Sequence, residues 1–152
     1  MIQRIQSIFL FASLCFLVPL FSAPVAELIY EGGDILSFNL MGFYVTEADA
    51  VTYVSNQYSI MLFGMLICAL NTVIIFLFKH RVLQLRLCIY NLLLLIGLTG
   101  VGLFVLFSVQ DVQRVVFGLP AVFPVIAIIL HYLAFRGIRK DELMVMALSR
   151  LR

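Results

Sequence analysis

Four long apolar runs, separated by shorter polar stretches, organise this chain. They cover about residues 5–23, 58–78, 87–109 and 115–135, and none contains an Asp, Glu, Lys or Arg. Each reaches or nearly reaches the ~20 residues that a helix needs to span hydrocarbon. Backbone groups in lipid find no water, so runs of this length satisfy their own hydrogen bonds as helices. The alternation of apolar and polar residues that marks a membrane β-barrel is absent. The pattern predicts an all-α integral membrane fold, a four-transmembrane-helix bundle forming one membrane domain over residues 1–152.

The first run is also tested as a signal peptide. Arg4 supplies a basic start and Phe21-Ser22-Ala23 loosely resembles a cleavage site. Pro24 behind that site is a poor substrate position, and the run is longer than a usual signal core. A lipoprotein reading through Cys15 fails because Leu14 stands where a small residue is wanted. The run is therefore read as a retained first helix.

Between the runs, the segments 79–86 and 110–114 are short enough to join antiparallel neighbours. Only the first loop, residues 24–57, has room for structure of its own. Its Gly32-Gly33, flanked by Leu28-Ile29-Tyr30 and Ile35-Leu36-Ser37, is a hairpin signal. Thr46 with Asp49 three residues on forms a capping box and predicts a helix running into the second span. Phe38, Leu40, Met41, Phe43, Tyr44 and Val45 make this loop unusually apolar. Either it lies on the helix ends and lipid interface, or Phe38, Leu40, Phe43 and Tyr44 form a docking face for another protein. After the last run, the tail 136–152 carries Leu143, Ala147 and Leu151 at helical spacing, an amphipathic pattern suited to the lipid surface or to a protein partner.

Composition reinforces this reading: 64% of residues are hydrophobic and 12% charged, about half the charged share of a soluble domain. Nine of the ten basic residues fall at the N-terminus, in the second loop and in the tail; Arg114 alone is elsewhere. The first loop holds five acidic residues and no basic one. The positive-inside rule then places both termini in the cytoplasm and the first loop in the periplasm. A net charge of +2 without a basic run gives no footprint for nucleic acid. Cys15, Cys68 and Cys88 lie in apolar stretches with no paired spacing, and are read as packing residues.

Polar residues within spans are the usual pointer to function in lipid. Asn71, Asn91 and His131 lie within roughly 7–12 Å of the cytoplasmic helix ends, at about 1.5 Å per residue. They form a candidate polar cluster: interhelical fastening on one reading, a shallow binding or proton-responsive site on the other. Pro124 predicts a kink in the fourth helix. Small residues at Gly64, Cys68 and Thr72, and Gly97, Gly100 and Gly102, suit close helix approach. No metal-binding, phosphate-binding or nucleophile motif occurs, so no catalytic residue, cofactor or metal is expected.

The opening Met1-Ile2-Gln3-Arg4-Ile5-Gln6-Ser7-Ile8-Phe9-Leu10 and the closing Ile138-Arg139-Lys140-Asp141-Glu142 with Arg150-Leu151-Arg152 resemble a family of small four-helix inner-membrane proteins from Bacteroidota, known as domain of unknown function 4293. The resemblance covers the whole length and implies a cell location but no activity. It also implies a more charged stretch where this chain has Met144-Val145-Met146-Ala147-Leu148. A more apolar tail favours a contact role, and Arg139, Lys140, Asp141, Glu142, Arg150 and Arg152 become candidate partner contacts. Arg4 is a further candidate to pair with the 140–142 cluster. The leading expectation is a non-catalytic accessory or scaffold subunit of a larger inner-membrane complex. The rival is a small homo-oligomeric transporter or channel lined by Asn71, Asn91 and His131; a membrane enzyme ranks behind both.

Overall fold

The computed structural model describes residues 3–30, 35–47, 50–77, 80–109 and 112–150. Four α-helices are present: α1 Gln3–Leu17, α2 Tyr58–Phe76, α3 Arg81–Phe107 and α4 Phe123–Arg150. The segments Tyr58–Phe76, Val82–Phe107 and Leu119–Met144 are long and apolar enough to cross a membrane. The first apolar helix, Gln6–Phe21, is shorter, and its last four residues, Val18–Phe21, form a 3-10 turn with Pro19 near its start. Apolar side chains such as Leu62, Phe76, Tyr90, Leu93, Phe104 and Ile129 stand exposed around the bundle, a surface that water does not tolerate but lipid does.

The helices close a ring in which α1 packs on α2 and α4, and α3 packs on α2 and α4. Phe16 meets Phe123 edge to face, with centroids 5.4 Å apart, where α1 crosses the start of α4. Pro124 does not kink α4. It is the second residue of that helix, where its missing N–H has no intrahelical partner to lose. Nor is the tail a separate helix: α4 runs unbroken for 28 residues from Phe123 to Arg150.

The loops hold the larger surprise, five antiparallel strands in one sheet. These are β1 Ala26–Tyr30, β2 Ile35–Asn39, β3 Gly42–Glu47, β4 Ala50–Asn56 and β5 Val112–Phe117, in the order β4-β3-β2-β1-β5. The hairpin anticipated around Gly32-Gly33 exists as β1 paired with β2, Leu28 opposite Leu36. The helix anticipated from Thr46 does not: β3 and β4 pair there, with Val45 opposite Thr52, and Asp49 lies outside the described residues. Phe43-Tyr44-Val45-Thr46 and Val51-Thr52-Tyr53-Val54 are β-branched and aromatic throughout, and that strand preference outweighs one capping signal. Residues 115–117, assigned above to the fourth span, instead form the end of β5, which pairs with β1. The sheet therefore joins the first loop to the third.

One tight turn anchors the sheet to the helices. Asn39 is buried, and its Oδ1 accepts from the N–H groups of Met41 and Gly42, at 2.9 and 3.0 Å. Gly42 sits at φ 144°, a conformation that side chains resist. The Leu40 N–H donates to Leu20 O at the end of the first helical segment, and Met41 O accepts from Gln57 N at the start of α2. The Leu40 side chain then drops onto α2 at Gly64, where an added Cβ would stand 2.7 Å from Leu40 Cδ2. Gly64 thus admits a loop side chain, and beside it Phe21 from the end of the first apolar helix, whose Cζ would stand 3.0 Å from that Cβ. The main core binds sheet to bundle through Leu28, Phe38, Leu40 and Phe43 with Ile67, Leu95, Leu98 and Ala127. A second core of Leu10, Ile74, Cys88, Ala134 and Ile138 fills the opposite end.

Candidate functional site

Toward that opposite end, polar side chains tie each pair of neighbouring helices. Between α1 and α2, Asn71 Nδ2 donates to Ser13 Oγ at 2.9 Å and to Leu10 O at 3.4 Å. Between α2 and α3, Gln84 Nε2 donates to Ile74 O at 3.1 Å. Between α3 and α4, Asn91 Nδ2 donates to His131 Nε2 at 2.9 Å, in the ring tautomer that carries its proton on Nδ1. The Cys88 thiol adds a weak 3.8 Å contact to His131 O. Between α4 and α1, Gln6 Nε2 donates to Asp141 Oδ2 at 2.7 Å. Gly137 makes room for that last tie, since a Cβ there would come 3.0 Å from Gln6 Cγ.

All these tying side chains are buried, Ser13, Asn71, Asn91 and His131 completely. An unpaired amide or carboxyl in such a place is costly, which makes each tie specific for its helix pair. Interhelical bonds of this kind contribute on average about 0.6 kcal/mol each in membrane bundles. Four buried atoms have no hydrogen-bond partner among the described residues: Asn71 Oδ1, Asn91 Oδ1, His131 Nδ1 and Asp141 Oδ1. No group of three or more metal-ligating side chains occurs among the described residues.

At the sheet end lies a cavity of about 240 Å³. Leu20, Phe38 and Ile60 form its inner wall, and Gly102, Phe117 and Val125 lie on its outer side. Thr99 is the one hydroxyl on its lining, and that hydroxyl already donates to Leu95 O at 2.8 Å.

The model of one protein family matches residues 2–151, almost the entire chain. This protein belongs to the DUF4293 family. The family is described only as a domain of unknown function. No curated protein matches the chain.

In this DUF4293 protein, Asn91 and His131 meet as anticipated, while Asn71 bonds instead to α1. The apolar loop residues do not form an outer docking face. Phe38, Leu40, Phe43 and Tyr44 are all at most 8% exposed, and the first three belong to the main core. In the tail, Asp141 is buried and tied to Gln6, whereas Arg139 and Lys140 are exposed and Glu142 is half-buried. Gln6 is thus a partner of Asp141, and the side chain of Arg4 lies outside the described ones. Arg150 ends α4, with its side chain outside the described ones, and Arg152 lies outside the described residues. Leu143 and Met144, the tail's apolar stripe, face outward at 57% and 41% exposure.

Sequence reasoning overlooked Gln6, Ser13 and Gln84. Ser13 lies well inside the first run, a readable signal, whereas Gln6 lies at its edge, seven residues and two helical turns before it. Thr72, Thr99 and Ser108 take no part, because each hydroxyl donates to the carbonyl four residues back in its own helix.

Proposed function

We propose that this protein is a four-span component of a bacterial inner membrane, both termini cytoplasmic, that acts as a non-catalytic accessory or scaffold subunit of a larger membrane assembly. Pairing of β1 with β5 supports the topology, since it requires the first and third loops to share one side. The basic residues concentrate at the other end, in keeping with the positive-inside rule. The observation that carries the scaffold reading is the set of polar ties, one per helix interface. With the interior engaged in fastening helices, recognition falls to the surface. Two surfaces suit it: the outer edge of β4, which among the described residues pairs only with β3 and offers backbone groups for strand addition, and the exposed flank of α4 at Arg139, Lys140, Leu143 and Met144.

Purification of the tagged protein in several mild detergents, with mass spectrometry of what accompanies it, tests this directly. Reproducible co-purifying membrane proteins are expected; a bare monomer or homo-oligomer in every detergent refutes the reading. For the topology, Val54→Cys should react with an impermeant thiol reagent from outside the cell and Lys140→Cys should not.

A small homo-oligomeric transporter or channel is the second reading. The four unpartnered buried atoms favour it, because they lie on three helices of the same bundle and intramembrane polar groups commonly mark a pathway. It requires His131→Ala to change flux, or its pH dependence, in liposomes. Unchanged flux in that variant removes this reading.

A further inference from the structure

The apolar cavity at the sheet end has the makings of a lipid site. Its exposed lining residues come from α3, β5 and α4. Its inner wall is buried, with Leu20, Phe38 and Ile60 each at most 3% exposed, while Leu103, Phe117 and Val125 on the outer side are 43–49% exposed. Around that outer side Phe104, Phe107, Leu119 and Val122 are all more than half exposed. The mouth is thus continuous with the apolar surface that faces lipid in a membrane-embedded bundle.

The lining decides what can enter. A buried water needs two to four polar partners, and the lone hydroxyl, that of Thr99, is already bonded within its helix. A charged or hydrogen-bonding ligand meets the same lack. A dry apolar cavity of roughly 150 Å³ is already large enough to take up benzene, and this one is about 240 Å³. Gly102 helps to keep it open: nothing lies within 4 Å of where its Cβ would stand.

We propose that this cavity holds part of an acyl chain of a bilayer phospholipid, entering between α3 and α4 from the leaflet on the sheet side. The proposal rests on the membrane reading above. An acyl chain is apolar, flexible and present at the mouth at high local concentration. Seated there, it fills space between sheet and helices that side chains leave empty, so lipid becomes part of the contact between the two cores.

The test uses the full-length protein in liposomes containing a phosphatidylcholine with a diazirine on one acyl chain. Adducts are mapped by peptide mass spectrometry after irradiation. Residues 98–106 of α3 and 121–125 of α4 should carry several-fold more adduct than the equally apolar, exposed Leu62–Leu66 face of α2. Gly102→Leu, which places a side chain in the cavity without a clash at Cβ, should lower that excess to the α2 level while helical circular dichroism is retained. Ala121→Leu is a second block from the opposite helix and should do the same. Uniform labelling of α2, α3 and α4, or an excess that survives both blocking variants, overturns the proposal. Absence of adducts on every helix, α2 included, overturns the membrane reading itself and the proposal with it.

Discussion

Replacing Gln6 by Leu isolates the tie between the first and last helices. The change keeps an apolar side chain in the space opposite Gly137 and removes the Nε2 donor that stands 2.7 Å from Asp141 Oδ2. Asp141 is only 7% exposed, and its Oδ1 already lacks a partner among the described residues. The variant therefore leaves the whole buried carboxyl without its donor. Interhelical hydrogen bonds in membranes average about 0.6 kcal/mol, and bonds to charged groups reach about 1.5–3 kcal/mol. Between these bounds we expect Gln6→Leu to cost about 1–2 kcal/mol, a factor of roughly 5–30 in the folded population. Asp141→Leu should cost a similar amount. The double variant should cost less than the sum by about 1 kcal/mol, because neither side chain is then left stranded. Gly137→Ala, which crowds Gln6 Cγ, should reproduce part of the effect. Reversible unfolding by dodecyl sulfate in mixed micelles gives these energies. The chain has no Trp, so far-ultraviolet circular dichroism is the natural probe. Additivity of the two single variants within about 0.5 kcal/mol refutes an energetic tie.

Two further outcomes follow from the sheet. Gly118→Ala brings a Cβ to 2.7 Å from Pro24 O, a backbone atom that cannot swing aside, and should destabilise the protein by about 1–3 kcal/mol in the same unfolding assay. In a background lacking the three native cysteines, Glu27→Cys with Val116→Cys should form a disulfide on mild oxidation. The two residues face each other across β1 and β5, and Cα atoms opposed across antiparallel strands lie about 4.5–5.5 Å apart, within the range a disulfide spans. Failure of that pair to cross-link, while the β1–β2 pair Glu27→Cys with Ser37→Cys does, would remove β5 from the sheet.

The helices were legible because an apolar run of span length has few other solutions, and the hairpin at Gly32-Gly33 because glycine punctuates an alternating pattern. The rest of the sheet was not, for a reason that bears on membrane chains generally. In residues 112–117 the Val-Val-Phe of a strand is indistinguishable by hydropathy from the start of a span, and its partner is 87 residues distant at Leu28–Val115, a long-range pairing that local pattern does not encode. Of the two placements offered for the apolar loop residues, the one against the helix ends matches the core that Phe38, Leu40 and Phe43 share with Ile67, Leu95 and Leu98, and the outer docking face does not. Phe38, Leu40 and Phe43 looked like an exposed patch only because the sheet that buries them was missing from the reading. Among the polar residues, Asn71, Asn91 and His131 stood out against their apolar surroundings. Gln6 did not, because it lies at the edge of its run, and Asp141, a candidate to pair with Arg4 or with a partner protein, meets Gln6 where Gly137 makes room against α1.

Pairing of β1 with β5 also constrains the order in which the molecule is made. Ala26–Tyr30 leaves the ribosome early, yet its neighbour at Val112–Phe117 exists only after α2 and α3 have been synthesised. Gln6 waits longer still for Asp141, 135 residues away. Such distant contacts form late, after the entropy of closing the intervening chain has been overcome. Until then β1 presents an open edge on one side of the bundle and α1 lacks its main packing partner on α4. The two closures are the last fastenings of the molecule, at opposite ends of it, and a chain interrupted after β5 can complete the first of them but not the second. An unfinished copy is thereby marked by an unclasped first helix.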